Sequence, residues 1–384
     1  MMTTIGYVCA ENPFEDRKAW SGTIFKLREA VEKAGFTVVW IPYSRKCLTV
    51  RLIGLVLRIL DKILKIKYLG GVHHPPMVKA YARTIDKNKV RTCDYLFFPG
   101  GGQVYLYLNT EVPMISFADA TVHIMENYYW KGFSKHSFAM AKRLEEKVAK
   151  ASAINIRTSQ WAIDSVIGDC GANPDHCYVL EFGPNIDDTD ISLTAPYSGE
   201  ELRILFSGVD WERKGGRFAV EVVKILREKG INAKLMVVGP ESMPDDCKSH
   251  DFITFYGFLN KNVPSDYSKY IGIFKQSHAF LMPTQAECTG VVFCEATAFG
   301  IPSYTFATGG TTNYVLTGQN GVAFPDTAYP IDFAEQIIQD IQNKKMSEYQ
   351  VNCKTLRETR LSWTAFSKRF AQIVQAEKIR KELC

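Results

Sequence analysis

Pro283-Thr-Gln-Ala-Glu287-Cys-Thr-Gly290-Val-Val-Phe-Cys-Glu295-Ala-Thr-Ala-Phe-Gly300-Ile-Pro302 is the stretch from which the fold is read. The apolar run Ala279-Phe280-Leu281-Met282 before it reads as a buried strand that Pro283 ends. A short polar loop holds Glu287, a helix is expected from Thr289-Gly290, and Gly300 with Pro302 closes that helix and opens the next apolar run. A strand, a loop and a helix start aim unpaired backbone N–H groups and the positive end of a dipole at whatever sits above the sheet edge. Glu287 and Glu295 are separated by seven residues, so both can face that edge. Amides suit a pyrophosphate there, and carboxylates suit sugar and ribose hydroxyls. Taken without its surroundings, a pair of Glu at this spacing is ordinary solvated charge; the Pro and Gly punctuation gives it weight.

The same alternation runs through the chain. At 384 residues two domains are expected, and 46% hydrophobic with 23% charged residues is ordinary globular composition. In the first half, strands are expected over residues 5–9, 37–41, 95–98, 114–117, 153–156 and 178–182, with helices at 21–34, 138–150 and 161–167. Residues 183–200 (GPNIDDTDISLTAPYSGE) lose periodicity and gather Pro, Asp, Ser and Thr, as a linker does. The pattern then restarts, with strands at 203–207, 234–238, 253–256, 279–282, 303–306 and 322–324. Helices are expected at 217–229, 267–275, 291–299, 332–343, 347–360 and 363–381. Strand–helix alternation gives parallel sheets covered on both faces. The expected division is 1–183, a linker 184–200, a second domain 201–362, and a last helix 363–384 reaching back to the first domain. Two such sheets facing one another would leave an interdomain cleft at their C-terminal strand edges, where open α/β sheets bind ligands.

The restart opens on Leu205-Phe-Ser-Gly208-Val-Asp-Trp-Glu-Arg213-Lys214-Gly215-Gly216. A strand ended by Gly and followed by Arg-Lys-Gly-Gly places two cations and pliant backbone beside a helix start. Phosphate binding is the natural use, since Arg can chelate two oxygens. Alone, the segment would equally be a solvated basic turn.

In this order the two stretches resemble the retaining glycosyltransferases of family four, which have the GT-B fold. Arg213-Lys214-Gly215-Gly216 is similar to their phosphate loop, and Glu287 through Glu295, followed by Ala-x-x-x-Gly-x-Pro, to their E-x7-E signature. Val237-Val238-Gly239-Pro240, Tyr256-Gly257-Phe258-Leu259, Gly309-Gly310 and Gly318-Gln319-Asn320-Gly321 match further pieces. In the first half Trp20-Ser21-Gly22-Thr23, Ser159-Gln160-Trp161 and Phe182-Gly183-Pro184-Asn185 are weaker matches. The resemblance implies a retaining transfer of a hexosyl unit from a nucleotide sugar, UDP- or GDP-linked, to a hydroxyl acceptor. It implies that Arg213 and Lys214 hold the diphosphate, that Glu287 contacts the donor sugar at its reacting face, and that Glu295 bonds the ribose. Amides around Thr289, Gly290 and Val291 would meet sugar and phosphate oxygens, and Gly22 would let the first loop approach the diphosphate. Gly208-Val209 departs from the family's frequent Gly-Arg, with Arg213 able to compensate. Where many members have a His after the fourth strand this chain has Ala118-Asp119-Ala-Thr121, making Asp119 a catalytic candidate with His123 nearby and helix capping by Thr121 as its competitor. The competing functions are a nucleotide-sugar epimerase or phosphorylase on the same fold, and a non-catalytic nucleotide-sugar-binding protein at a membrane surface.

Asp188-Thr-Asp190 mimics a metal-binding D-x-D but follows no strand, so with Arg and Lys at the phosphates no metal or other cofactor is expected. Gly100-Gly101-Gly102 lacks a P-loop Lys and reads as a tight turn. The 10 cysteines form no C-x-x-C pair, no secretory leader pattern precedes residue 5, and no run reaches membrane-span length. A cytoplasmic chain is therefore expected.

Net charge is +5, yet residues 45–92 carry twelve Lys and Arg against two Asp. That asymmetry calls for an acidic partner at one place, with nucleic acid not expected. Over residues 47–67, Arg51, Arg58, Lys62 and Lys65 fall within an arc of about 60° at 100° per residue, and Leu, Ile and Val fill the rest. Such a helix suits an anionic membrane surface, placing residues 45–67 at the inner face of the cell membrane and suggesting a saccharide or lipid-linked acceptor in surface polysaccharide assembly. The competing reading is a helix packed on its sheet with a solvated basic edge.

Overall fold

A computed structural model describes residues 2–383. Residues up to Leu180, with those from Phe366 onward, form one compact unit, and Glu181–Ala365 form the other.

The first unit is built on β1 (Thr4–Val8), β2 (Thr37–Ile41), β3 (Tyr95–Pro99), β4 (Met114–Ala118), β5 (Ile154–Arg157) and β6 (Cys177–Val179), ordered β2-β1-β3-β4-β5-β6. All its strand pairs are parallel. Helices cover both faces, so the central strands are apolar throughout, and every residue of β3 is buried. Tyr7, Phe97 and Phe117 fill one side, where the C-terminal helix Trp363–Leu383 closes over them. Phe366 meets Phe117 at 5.9 Å, Phe370 meets Phe97 at 5.7 Å, and Ser367 donates to the Ala30 carbonyl at 2.8 Å.

The second unit contains β7 (Leu202–Ser207), β8 (Ala233–Val238), β9 (Ile253–Gly257), β10 (Ala279–Leu281), β11 (Ser303–Phe306) and β12 (Gly321–Phe324). Their order is β12-β11-β10-β7-β8-β9, again all parallel. The chain builds outward from β7 to β9, then returns to lay β10 on the other flank of β7. That reversal is a topological switch point, where two loops diverge and leave a crevice above the strand ends. The loops concerned are the two stretches singled out above.

Helix ends follow local chemistry. The helix Val291–Ala298 stops because Gly300 adopts φ +75° and the Ile301 N–H returns to the Ala296 carbonyl at 2.9 Å. Some bounds differ from expectation. The first helix starts at Thr23, because Trp20 (φ 50°), Ser21 (φ 57°) and Gly22 (φ 90°) form a left-handed run ahead of it. β6 ends at Val179 instead of reaching residue 182. Beyond it, Glu181 is held by Arg360 and Asn313, and the Phe182 N–H by the Tyr314 hydroxyl, which draws this backbone into the second unit. The segment 184–200 has no strand and clusters with the second unit; the Tyr267 hydroxyl ties Asp187 and Asp190.

The amphipathic stretch forms the helix Leu48–Leu64, in which Val50 alone is buried. Ile53 and Leu57 lean on the core, whereas Leu48, Leu52, Leu55, Val56, Ile59, Ile63 and Leu64 are exposed. Lys65 takes φ +55° at the helix C-cap, so it leaves the basic arc to which the periodicity assigned it. Among the described residues no helix is long and apolar enough to cross a membrane.

Candidate active site

The loop after β7 is a tight basic turn. Asp210 accepts the Arg213 N–H on its carboxylate at 3.1 Å and the Lys214 N–H on its carbonyl at 3.0 Å, and the Gly216 N–H returns to the Trp211 carbonyl at 2.8 Å. Gly215 then caps the helix Gly216–Glu228 in the left-handed conformation, φ +79°. A Cβ on Gly215 would lie 2.2 Å from the Pro283 carbonyl oxygen, which belongs to the neighbouring loop. Gly216 is as constrained, since a Cβ there would meet the Trp211 ring at 2.2 Å.

The two loops are stitched together. The Gln285 N–H donates to the Arg213 carbonyl at 2.9 Å, the Thr284 hydroxyl to the same carbonyl at 3.3 Å, and Arg213 Nη1 to the Ala286 carbonyl at 2.8 Å. This brings the side chains of Arg213, Lys214 and Glu287 into one cluster. Lys214 Nζ forms an ion pair with Glu287 Oε2, Arg213 Nη1 lies 3.9 Å from the same oxygen, and Arg213 Nε is 3.3 Å from Asp210 Oδ2. Glu287 is 8% exposed, and its carbonyl accepts the Gly310 N–H at 3.0 Å. Thr289 is buried, Gly290 caps the 291–298 helix at φ +75°, and Val291 begins it. The Phe293 N–H is taken by the Gly290 carbonyl at 2.9 Å, and the Val291 and Val292 amides ahead of it have no intrahelical acceptor. Two cations and a helix N-terminus thus converge around one buried carboxylate, which can hold a di-anion and present a carboxylate to whatever that anion carries.

Glu295 sits differently. It is 2% exposed, and its two oxygens take Lys261 Nζ and the Tyr270 hydroxyl, each at 2.7 Å. Burial, reinforced by the Glu295 carboxylate, pushes the Tyr270 phenol well above its ordinary pKa, so Tyr270 stays a donor. Each carboxylate oxygen has a second lone pair, which leaves Glu295 able to accept from a further hydroxyl. Lys261 and Tyr270 were missed in the sequence. Lys261 follows the Tyr256-Gly257-Phe258-Leu259 match, where Gly257 turns at φ +70°, and that loop was the available signal.

In the first unit, Gly22 follows Trp20 and Ser21 in the left-handed run, and Trp20 packs edge-on to Phe117 at 6.2 Å. Asp119 follows β4 and lines a cavity with Gly100, Gly101, Gly102 and Arg157. Thr121 does cap the short helix Val122–Met125, accepting the Ile124 N–H, and it does so beside Asp119 without replacing it. His123 lies outside the cavity lining, with Nε2 3.5 Å from Glu146 Oε1. The candidate residues therefore fall into two groups: Arg213, Lys214, Glu287, Thr289, Gly290, Val291 and Glu295 in the second unit, and Gly22 with Asp119 in the first. The D-x-D look-alike is engaged elsewhere, Asp188 with Arg357 at 3.6 Å and Asp190 with Tyr267 at 2.9 Å.

Residues 201–343 match the model of a family described as "Glycosyl transferases group 1". The chain is 24% identical over 216 residues to the D-inositol 3-phosphate glycosyltransferase of Paenarthrobacter aurescens (strain TC1), covering 52% of each protein. It is 27% identical over 146 residues to the capsular polysaccharide biosynthesis glycosyltransferase CapM of Staphylococcus aureus, covering 38% of this chain and 36% of CapM. The chain thus spans about half the length of the first curated relative and about a third of the second. Among solved structures, sucrose-phosphate synthase from Thermosynechococcus elongatus superposes with a TM-score of 0.68 at 14% identity, over 97% of this chain and 98% of that one. Anabaena HepE, solved in complex with UDP and glucose, gives 0.62 at 12% identity, over 97% and 100%. At these identities the structural likenesses speak for the fold.

Proposed function

We propose that the chain, whose residues 201–343 match the group 1 glycosyltransferase model and whose fold is GT-B, is a glycosyltransferase that moves a hexosyl unit from a UDP- or GDP-sugar to a hydroxyl acceptor with retention of configuration. The observation carrying this reading is the convergence of Arg213, Lys214, Glu287 and the helix N-terminus at Gly290 on the switch point of the second sheet. In the reaction, the bond from the anomeric carbon to the diphosphate oxygen breaks and a bond to the acceptor oxygen forms on the same face. The acceptor proton passes to the departing phosphate oxygen. Arg213, Lys214 and the helix amides stabilise the charge that grows on the diphosphate, which is the role a metal ion would otherwise fill. Glu287 is the carboxylate at the sugar. Glu295, positioned by Lys261 and Tyr270, accepts from the ribose, Gly22 admits the diphosphate, and Asp119 orients the acceptor hydroxyl.

A panel of UDP-, GDP- and ADP-sugars in a thermal-shift assay identifies the donor, because a bound donor raises stability by mass action. Transfer by Glu287→Ala is the decisive measurement: donor-dependent product at the wild-type rate from a folded variant would end the proposal. Donor binding without turnover would favour the non-catalytic alternative, and isomerised donor without transfer the epimerase.

One further observation favours work at a membrane surface. On the 48–64 helix, Leu52, Leu55, Val56, Ile59 and Ile63 are exposed and span an arc of about 100°, directly beside that of Arg51, Arg58 and Lys62. An apolar stripe edged with cations suits an anionic bilayer, each well-placed cation contributing about 1 kcal/mol. A lipid-linked acceptor for surface polysaccharide fits this reading, and CapM, one of the relatives, is named for capsular polysaccharide biosynthesis.

A further inference from the structure

A cavity of about 130 Å³ lies in the first unit at the C-terminal ends of β3, β4 and β5. Three of the residues that line it each carry a buried side-chain atom with no partner among the described residues: Arg157 Nε, Gln103 Oε1 and His73 Nδ1. Arg157 is 2% exposed and Gln103 7%. Orphaned polar atoms are rare in a folded protein because each forfeits its hydration, about 1–3 kcal/mol apiece. Three around one cavity mark a place prepared for hydrogen bonds from elsewhere.

The rest of the lining says which chemistry. Arg157 is anchored through Nη1, which donates to the Ile156 carbonyl at 2.9 Å and to Ser116 Oγ at 3.4 Å, leaving Nε–H as a fixed donor. Gln103 Oε1 is an acceptor, and neutral His73 supplies one of either kind. His73 is neutral because burial lowers its pKa to about 4. Against the one guanidinium stand the carboxyl groups of Asp119 and Glu145. A phosphate would face the Asp119 carboxyl and a Glu145 that burial, raising it to about 7, inclines to keep its proton; a hydroxyl, which donates and accepts at once, matches a lining of both kinds. Trp130, edge-on to His73 at 4.9 Å, supplies an aromatic wall of the sort that covers the C–H face of a sugar. The volume admits several hydroxyl-sized groups.

We propose that this cavity binds a neutral, hydroxyl-rich group, a sugar ring or polyol belonging to the acceptor, with Gln103 and Arg157 as the residues that select it. The assignment to the acceptor rests on the transferase reading; the cavity's preference for neutral polyols does not. The test uses the full chain and saturation-transfer NMR with four probes, methyl glucoside, methyl galactoside, myo-inositol and glycerol, and with inorganic phosphate as competitor. A UDP thermal shift, measured in parallel, reads the second unit separately. The expected result is binding of at least one neutral probe, weakened at least tenfold by Gln103→Leu and by Arg157→Lys, with the UDP shift unchanged. Should Arg157→Lys fail to fold, Gln103→Leu decides alone. Absence of binding by all four probes, undiminished binding in Gln103→Leu, or displacement by phosphate overturns the proposal. Retained probe binding with no shift from any nucleotide supports the cavity and counts against the donor reading instead.

Discussion

Gly215→Ala tests whether the two loops of the second unit work as one piece. The substitution adds a single methyl group at a residue with φ +79°, 2.2 Å from the Pro283 carbonyl oxygen and 2.9 Å from its carbon. The left-handed conformation costs an L-residue about 1–2 kcal/mol. Forcing packed backbone apart adds about 1–3 kcal/mol. Gly230→Ala is the matched control, since Gly230 has φ +87° with nothing within 4 Å of a built Cβ. It bears the left-handed penalty alone, and the loss of unfolded-chain freedom on replacing Gly is common to both variants. The difference between them therefore isolates the clash with Pro283, about 2 kcal/mol, or roughly 4–8 °C in Tm for a unit of this size. Displacing the loop also moves Arg213 and Lys214 away from Glu287, so the stabilisation by UDP, about 2.7 kcal/mol at a hundredfold excess over Kd, should shrink in Gly215→Ala and persist in Gly230→Ala. Differential scanning fluorimetry with and without UDP measures both. Equal Tm losses in the two variants, or an undiminished UDP shift in Gly215→Ala, would refute the argument that the loops are coupled through this contact.

Tyr270→Phe removes one of the two donors that fix Glu295, a charge-assisted bond worth about 1.5–3 kcal/mol, and should both lower Tm and weaken UDP in isothermal titration; unchanged affinity would detach Glu295 from the ribose. Glu145 gives a pH-dependent prediction. Burial raises its carboxyl to about 7 against an ordinary 4.5, despite opposition from Arg157 and from the Val122 N–H it accepts. The folded chain therefore keeps a proton that the unfolded chain has already released, so this contribution is full below about pH 4.5 and is lost as pH rises through 7 at up to about 1.36 kcal/mol per unit. Glu145→Gln keeps an acceptor for Val122 without the titration, and should gain on the wild type in denaturant melts between pH 4.5 and 8; a constant gap would contradict the assignment. Arg58→Glu with Lys62→Glu should release the chain from anionic liposomes in a pelleting assay while leaving UDP binding unchanged, and equal pelleting would remove the membrane reading.

The strands were legible because their signals are local. An apolar run stopped by Pro or Gly, such as Ala279–Leu281 before Pro283, carries its own boundaries, and the observed ends mostly lie within a residue or two. Lateral order is a different kind of information. Nothing near Arg213 announces that β10 will lie beside β7, so the pairing of Lys214 with Glu287 was beyond a linear reading, although each residue was singled out. Arg157 closes an apolar run and looks like a strand boundary; it is buried because β5 lies between β4 and β6, its guanidinium turned to Ser116 on β4. Trp20 and Ser21 carry ordinary helix-compatible side chains, and their positive φ comes from the approach of the loop to Phe117 and the cap at Gly22, not from their own preferences.

The inequality of the two carboxylates follows from the same lateral order. Glu287 lies in the loop between β10 and its helix, and its partners come from the loop after β7 across the switch point. Those partners are Lys and Arg side chains, cations that the proposed diphosphate would engage while the donor sugar's hydroxyls took their place on Glu287. Glu295 faces the other way along the helix, toward Lys261 in the loop after β9 and Tyr270 on the Pro264–Lys275 helix, and Tyr270 has no charge to lend elsewhere. Under the proposed function Glu287 is held by groups that would also bind the donor, whereas Glu295 is held by Lys261 and Tyr270, to which no donor role is given. Loss of the first should fall on turnover, and loss of the second on donor affinity and on the fold of the second unit. A seven-residue spacing that looks symmetrical in the sequence places its two ends in different electrostatic surroundings, because the helix turns its second carboxylate toward the loop and helix that follow β9, on the opposite side of β7 from β10.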